Sequence, residues 1–184
     1  MKPPGRDTAA VTTWSTWEPG PSRTLSEADF DVPITDRFYE DYHEGATYEY
    51  GHATVDPGEV AAFARRFDPQ PIHADAEFAA AGPSGGLIAS GWHTGAIFMR
   101  LFADHYLSQV AGLASPGLDE LRWPVPVRPG DRLRLRTTTT NTRRSRSKPD
   151  RGLVRTHAEL LNAADSVVLS LKAMNLLRLR HPRE

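Results

Sequence analysis

Hydrophobic positions along the chain change their period twice. Residues 1–36 show no sustained period and hold Pro3, Pro4, Pro19, Pro21 and Pro33, which predicts an extended or partly disordered N-terminal extension ahead of a domain at 37–184. Trp14 and Trp17 in that extension offer rings that could dock on the domain or on a second subunit. Ala46 to Val55 is rich in aromatic and β-branched residues and predicts a strand. Asp56, Pro57 and Glu59 then supply a cap, a proline for the first helical position and an acid three residues after the cap. Val60, Phe63, Ala64 and Phe67 follow at i, i+3, i+4 and i+7, the apolar face of a short helix. Pro69 and Pro71 end it and hold the chain extended, Asp75 to Ala81 predicts another short helical turn, and Gly82-Pro83-Ser84-Gly85-Gly86 reads as a loop. From Ser90 to about Ala111 apolar residues fall on nearly all sides, which predicts one long, largely buried helix.

After Gly117 the period becomes two. Leu118 to Val127 reads as an irregular or edge strand because of Pro124 and Pro126. Leu133, Leu135, Thr137 and Thr139 alternate with Arg132, Arg134, Arg136 and Thr138; Asn141 to Gly152 is a polar loop. Val154 to Leu160 and Val167 to Ala173 alternate likewise. Three strands joined by polar turns predict an antiparallel meander. Its apolar face needs a partner layer, which the long helix supplies. The fold class is therefore α+β, an antiparallel sheet wrapped around a long central helix.

Composition adds exclusions. The 184 residues include no cysteine, so no disulfide or thiolate metal site can form. No apolar run is long enough to span a bilayer, and the N-terminus lacks the apolar core of a secretory signal, so a cytoplasmic protein with no membrane partner is expected. Residues 1–121 hold 7 basic and 18 acidic side chains, and residues 122–184 hold 15 and 5. That split fits either a polarised surface that takes a phosphate-bearing partner or two halves that pair across the fold.

Candidate chemistry lies in Phe67-Asp68-Pro69-Gln70-Pro71-Ile72-His73 and in Gly85 to His93. Asp68 and His73, separated by two prolines, can share a water and exchange its proton. The same spacing equally fits a capping Asp and a space-filling imidazole. Gly91 opens the long helix, where first-turn N–H groups lack internal partners and could polarise a carbonyl oxygen; tight packing alone would also explain a glycine there. Ser90 suits a helix cap. It lacks the Gly-x-Ser-x-Gly setting of a hydrolase nucleophile.

Asp68-Pro69-Gln70-Pro71-Ile72-His73 resembles the Asp-x-Asn-Pro-aliphatic-His motif of MaoC-like dehydratases and (R)-specific enoyl-CoA hydratases. Pro126-Val127-Arg128-Pro129-Gly130-Asp131 resembles that family's Pro-Val-x-x-Gly-Asp turn, and Gly91 falls at its oxyanion-hole glycine. The resemblance spans about Arg37 to Leu177. It implies a hotdog fold, a homodimer, and interconversion of trans-2-enoyl-CoA and (R)-3-hydroxyacyl-CoA thioesters in fatty acid metabolism, with no cofactor beyond the coenzyme A of the substrate. Asp68 and His73 would activate water, and the Gly91 N–H would bind the thioester oxygen. Gln70 replaces the motif's Asn, Ser90 stands where many members have His, and Met99 where some have a small polar residue near the substrate. Ser90, Trp92 and Met99 are thus candidate substrate contacts, with Trp92 and Trp123 as core or pocket wall. Arg143, Arg144 and Arg146 in the basic loop could bind the phosphates of coenzyme A. A hotdog thioesterase and a non-catalytic acyl-CoA or acyl-carrier binding protein are the competing readings. No metal site is expected, since His93 and His105 are too far apart and His73, Asp75 and Asp68 lack further ligands. Nucleic acid is not an expected partner, because the rest of the chain is acidic.

Overall fold

The structure, a computed structural model, describes residues 23–24, 30 and 32–182. Trp14 and Trp17 lie outside them. Among the described residues six strands form one antiparallel sheet in the order β1-β2-β4-β5-β6-β3. They are β1 (Arg23–Thr24), β2 (Thr47–Thr54), β3 (Gly112–Arg122), β4 (Arg132–Arg144), β5 (Arg151–Leu161) and β6 (Val167–Arg178). Four helices lie between β2 and β3: α1 (Pro57–Phe67), α2 (Pro71–Ala74), α3 (Ala76–Ala81) and α4 (Gly91–His105). The meander β4-β5-β6 forms as its alternation predicts. Leu133, Leu135, Val154, Ala158, Leu160, Leu169 and Leu171 turn inward and are essentially excluded from solvent. Ile97, Phe98, Leu101 and Phe102 of α4 fill the concave side, completing the expected hotdog arrangement.

Four boundaries differ from the sequence pattern. Helix α4 stops at His105 instead of near Ala111. Tyr106 and Leu107 both donate to the Phe102 carbonyl, and the Ser108 hydroxyl then accepts the N–H groups of Val110 and Ala111 at 3.2 and 2.8 Å. Strand β3 covers Gly112–Arg122, not Leu118 to Val127, because the edge of β6 pairs with this earlier stretch from Gly112↔Leu177 to Arg122↔Ser170. A register shift between Ala114 and Gly117 lets the strand pass Pro116. Strand β4 runs on to Arg144 through pairing with β5, so the loop there is shorter than predicted and Arg143 and Arg144 are strand residues. Pro71 starts the one-turn helix α2 where extended chain is predicted; proline is pre-set for a first helical position.

The end of α4 is held by residues before β2. The buried Arg37 guanidinium donates to the carbonyls of His105 and Tyr106 at 3.0 and 3.1 Å, satisfying acceptors that a helix C-terminus leaves open. Phe30 lies beneath that guanidinium at 3.5 Å and stacks on Tyr48 at 4.3 Å, so it packs between the end of α4 and β2. The uneven charge distribution resolves into pairing across the fold. Glu49 meets Arg134 and Arg136, Glu40 meets Arg144, Asp36 and Asp41 meet Arg180, and Glu120 meets Lys172.

Candidate active site

Asp68 ends α1, with its N–H bonded to the Ala64 carbonyl at 2.9 Å. The chain turns through Pro69, and α2 presents His73 three residues after Gln70. Asp56 caps α1 through the Glu59 N–H at 2.9 Å, and Asp75 caps α3 through the N–H groups of Glu77 and Phe78, both at 3.0 Å. These caps fix the two ends of the stretch that carries the pair.

His73 is 7% exposed. Its Nδ1 lies 2.9 Å from the Ile88 carbonyl. A carbonyl only accepts, so Nδ1 carries the proton, and in the neutral ring Nε2 is left as an acceptor. That Nε2 is 3.6 Å from Asp68 Oδ2, close but beyond hydrogen-bond length. Asp68 Oδ2 accepts from the Ser90 hydroxyl at 2.6 Å, and Oδ1 accepts from the Gln70 amide at 2.7 Å. The Ser90 hydroxyl first, then the Gln70 amide, hold the Asp68 carboxyl below its usual range, with His73 adding a smaller effect; burial works against all three. The Asp68 carboxylate and the His73 imidazole thus present two acceptors to one small region, and a water there can donate a hydrogen to each.

Ser90 has a double duty that spacing alone does not show. Its Oγ also accepts the Trp92 N–H at 3.2 Å, capping α4. The cap of the central helix is therefore the donor to Asp68. Among the described residues the Gly91 N–H has no acceptor, and it points from a helix start, where the dipole favours negative charge. A Cβ on Gly91 would lie 2.8 Å from Trp123 Cε2 and 3.0 Å from its Cδ2. The indole of Trp123 thus packs directly on the Gly91 backbone and excludes any side chain there. Trp123 meets Trp92 edge to face with centroids 5.6 Å apart. Both rings are substantially exposed, so neither is core.

The proline-glycine turn before β4 locks the approach to α4. Val127 accepts the Ala89 N–H at 2.8 Å, Arg128 donates to the Ser84 carbonyl at 2.5 Å, and Gly130, with φ +89°, donates to the Val55 carbonyl at 2.7 Å. This turn and the segment before Ser90 are thus one unit.

Helix α4 is not buried all round. Trp92, Ala96 and Met99, at i, i+4 and i+7, are exposed and line an apolar cavity of about 550 Å³ with Phe63 and Phe67 of α1. Phe67 immediately precedes Asp68 and Trp92 immediately follows Gly91, so the cavity opens beside the pair. Of the sequence candidates, Asp68, His73, Ser90 and Gly91 come together, and Trp92 and Met99 line the adjoining cavity. Arg143, Arg144 and Arg146 do not join them within one chain. Arg144 pairs with Glu40 near the C-terminal end of α4, about 22 Å of helix away from Gly91. Spacing gave no sign of Gln70 as a donor to Asp68; a long amide two residues past the carboxylate was the available clue. Among the described residues no three His, Asp or Glu side chains cluster as a metal site.

A family model described as the MaoC like domain matches residues 41–160. The chain belongs to the MaoC-like family. A MaoC-like dehydratase from Rhodospirillum rubrum is 39% identical, with a TM-score of 0.73, over 79% of this chain and 99% of that one. The 3-hydroxyacyl-thioester dehydratase Z of Mycobacterium tuberculosis is 43% identical over 83 residues, 44% of this chain and 55% of the relative, so the match spans about half of that protein's length. R-hydratase PhaJ1 of Pseudomonas aeruginosa shares the fold at 23% identity, with a TM-score of 0.59 over 80% of this chain and 92% of that one.

Proposed function

We propose that this MaoC-like protein adds water to trans-2-enoyl-CoA thioesters to give (R)-3-hydroxyacyl-CoA, and catalyses the reverse dehydration. The observation that carries this reading is the convergence of two acceptors, Asp68 Oδ2 and His73 Nε2, 3.6 Å apart, beside the open Gly91 N–H and the mouth of an apolar cavity. Asp68, kept ionised, orients the water. His73 Nε2 takes a proton from it as the oxygen bonds to Cβ, and the electron pair of the C=C bond moves onto the thioester oxygen, which the Gly91 N–H stabilises. His73 then returns the proton to Cα, so the elements of one water are added and the enzyme is restored.

Among the described residues β3 is an edge strand, and that edge and the exposed apolar side chains of Trp92, Met99 and Leu118 support a homodimer in which a second copy closes the open side of the cavity. Among the described residues no helix is long and apolar enough to cross a membrane.

The test is loss of enoyl absorbance with crotonyl-CoA and longer thioesters, for the wild type beside Asp68→Asn and His73→Ala. Turnover to an (R)-3-hydroxy product that collapses in both variants is expected. Release of free thiol in place of hydration would make the protein a thioesterase. Equal binding by all three proteins without any reaction would make it a binding protein.

A further inference from the structure

The far end of the cavity beside α4 holds a group that hydration does not use. The cavity is walled almost wholly by apolar side chains, from Phe63, Phe67 and Trp92 near Asp68 and Gly91 to Phe102 and Leu107 at the other end. Asn175 is set into the wall there, and it also lines the smaller adjoining cavity. The inward register of β6 runs Leu169, Leu171, Ala173, Asn175, Leu177, so an amide occupies a core position and is only 6% exposed.

Buried amides normally have both their donor and their acceptor satisfied. Asn175 Nδ2 donates to Thr156 Oγ1 at 3.4 Å. That hydroxyl is tied to the Tyr106 phenol at 2.8 Å, and the phenol to Thr139 Oγ1 at 2.8 Å. This string of bonds engages one of the two N–H groups of the amide. It leaves Oδ1 without a donor among the described residues, and the atom is not sealed in the interior. A largely apolar cavity therefore ends on the Asn175 amide, with an unpaired Oδ1; Ser115, which also lines it, has its hydroxyl turned to the Gly117 backbone.

We infer that Asn175 Oδ1 selects the acyl group, and that the substrate carries a hydroxyl at the end of its acyl chain remote from the thioester. The inference rests on the thioester reading above, which sets the carbonyl at the Gly91 N–H. Gly91 to Phe102 is about 16 Å along α4, so the selected group lies well beyond the reacting carbons. An amide oxygen only accepts, so it calls for an O–H on the ligand; a hydroxyl can donate to Oδ1 and accept the second N–H, whereas a carbonyl would serve only that N–H and leave Oδ1 unpaired. A plain alkyl chain of the same length would cover Oδ1, strip it of water and return no bond. That mismatch costs more than a matched bond gains.

The experiment compares a series of trans-2-enoyl-CoA thioesters of increasing chain length with their ω-hydroxylated counterparts. Turnover gives kcat/KM, and quenching of Trp92 and Trp123 fluorescence gives binding independently of chemistry. At one intermediate length the wild type prefers the hydroxylated chain about three- to tenfold, short chains show no preference, and Asn175→Leu abolishes the peak. A ratio at or below one at every length, in both readouts, overturns the inference. Turnover without a preference leaves the hydratase reading standing and removes the role of Asn175. A binding preference without turnover does the reverse.

Discussion

Ser90→Ala removes one hydroxyl that serves both the fold and the candidate site. Ser90 is 1% exposed, so water does not replace what is lost. Loss of a helix cap costs about 1 kcal/mol. Loss of a hydrogen bond to an ionised carboxylate costs about 1.5–3 kcal/mol. Together they give roughly 2–4 kcal/mol at neutral pH, a fall in melting temperature of roughly 5–15 °C for a chain of this size.

The two parts separate with pH. The bound Asp68 carboxyl titrates below its ordinary value because Ser90 donates to it. A carboxylate of lowered pKa contributes stability that is complete above its unfolded pKa, about 3.9, and is lost as pH falls through the folded value. The stability gap between wild type and Ser90→Ala should therefore narrow in acid toward the cap alone. In the variant the Asp68 carboxyl loses that donor and its pKa rises. Ser90→Thr keeps a hydroxyl and should retain most of both. The assay is a set of thermal melts across pH. A gap that stays constant from neutral to acid pH would refute the coupling of cap and carboxylate.

Gly91→Ala should lose stability because its methyl meets the Trp123 indole. Combining it with Trp123→Ala should cost less than the two single changes summed, and a strictly additive double-mutant cycle would deny the contact. His93 is buried against Phe63, and burial lowers its pKa. Its neutral form is favoured by the fold, so its contribution is complete above about pH 6.5 and fades as pH falls below that value. His93→Phe should show a shallower loss of melting temperature on acidification, and an identical slope would count against it. Arg37→Met leaves two carbonyls at the end of α4 without their donor and should cost about 2–3 kcal/mol in chemical denaturation.

The strands of the meander were legible because each has one buried face, and a period of two can then be satisfied by only one register. Helix α1 was legible from its cap and its apolar face. The limits of α4 and β3 were not, because they are set by partners remote in sequence. Ser108 gathers the N–H groups of Val110 and Ala111, and the edge of β6 takes up Gly112 onward. Neither choice is written in local periodicity. The exposed stripe of α4 was hidden for a related reason. Trp92, Ala96 and Met99 are as apolar as the buried face, and only the position of the sheet shows which side is left open.

At the site the motif located Asp68 and His73, but the bonds that tune them come from elsewhere. The Ile88 carbonyl fixes the tautomer of His73, and Ser90 and Gln70 fix the charge of Asp68. Ile88 and Ser90 belong to the segment that the 126–131 turn clamps, through Val127 to Ala89 and Arg128 to Ser84. The two resembling motifs are therefore parts of one device, with the proline-framed turn presenting the acid and base while the proline-glycine turn holds their hydrogen-bond partners in place. The same logic accounts for a glycine at 91. Trp123 follows β3 immediately and lies four residues ahead of Val127, so anchoring Val127 to Ala89 brings its indole down on the start of α4. A backbone N–H can stay open beneath that ring only if the residue bearing it has no side chain.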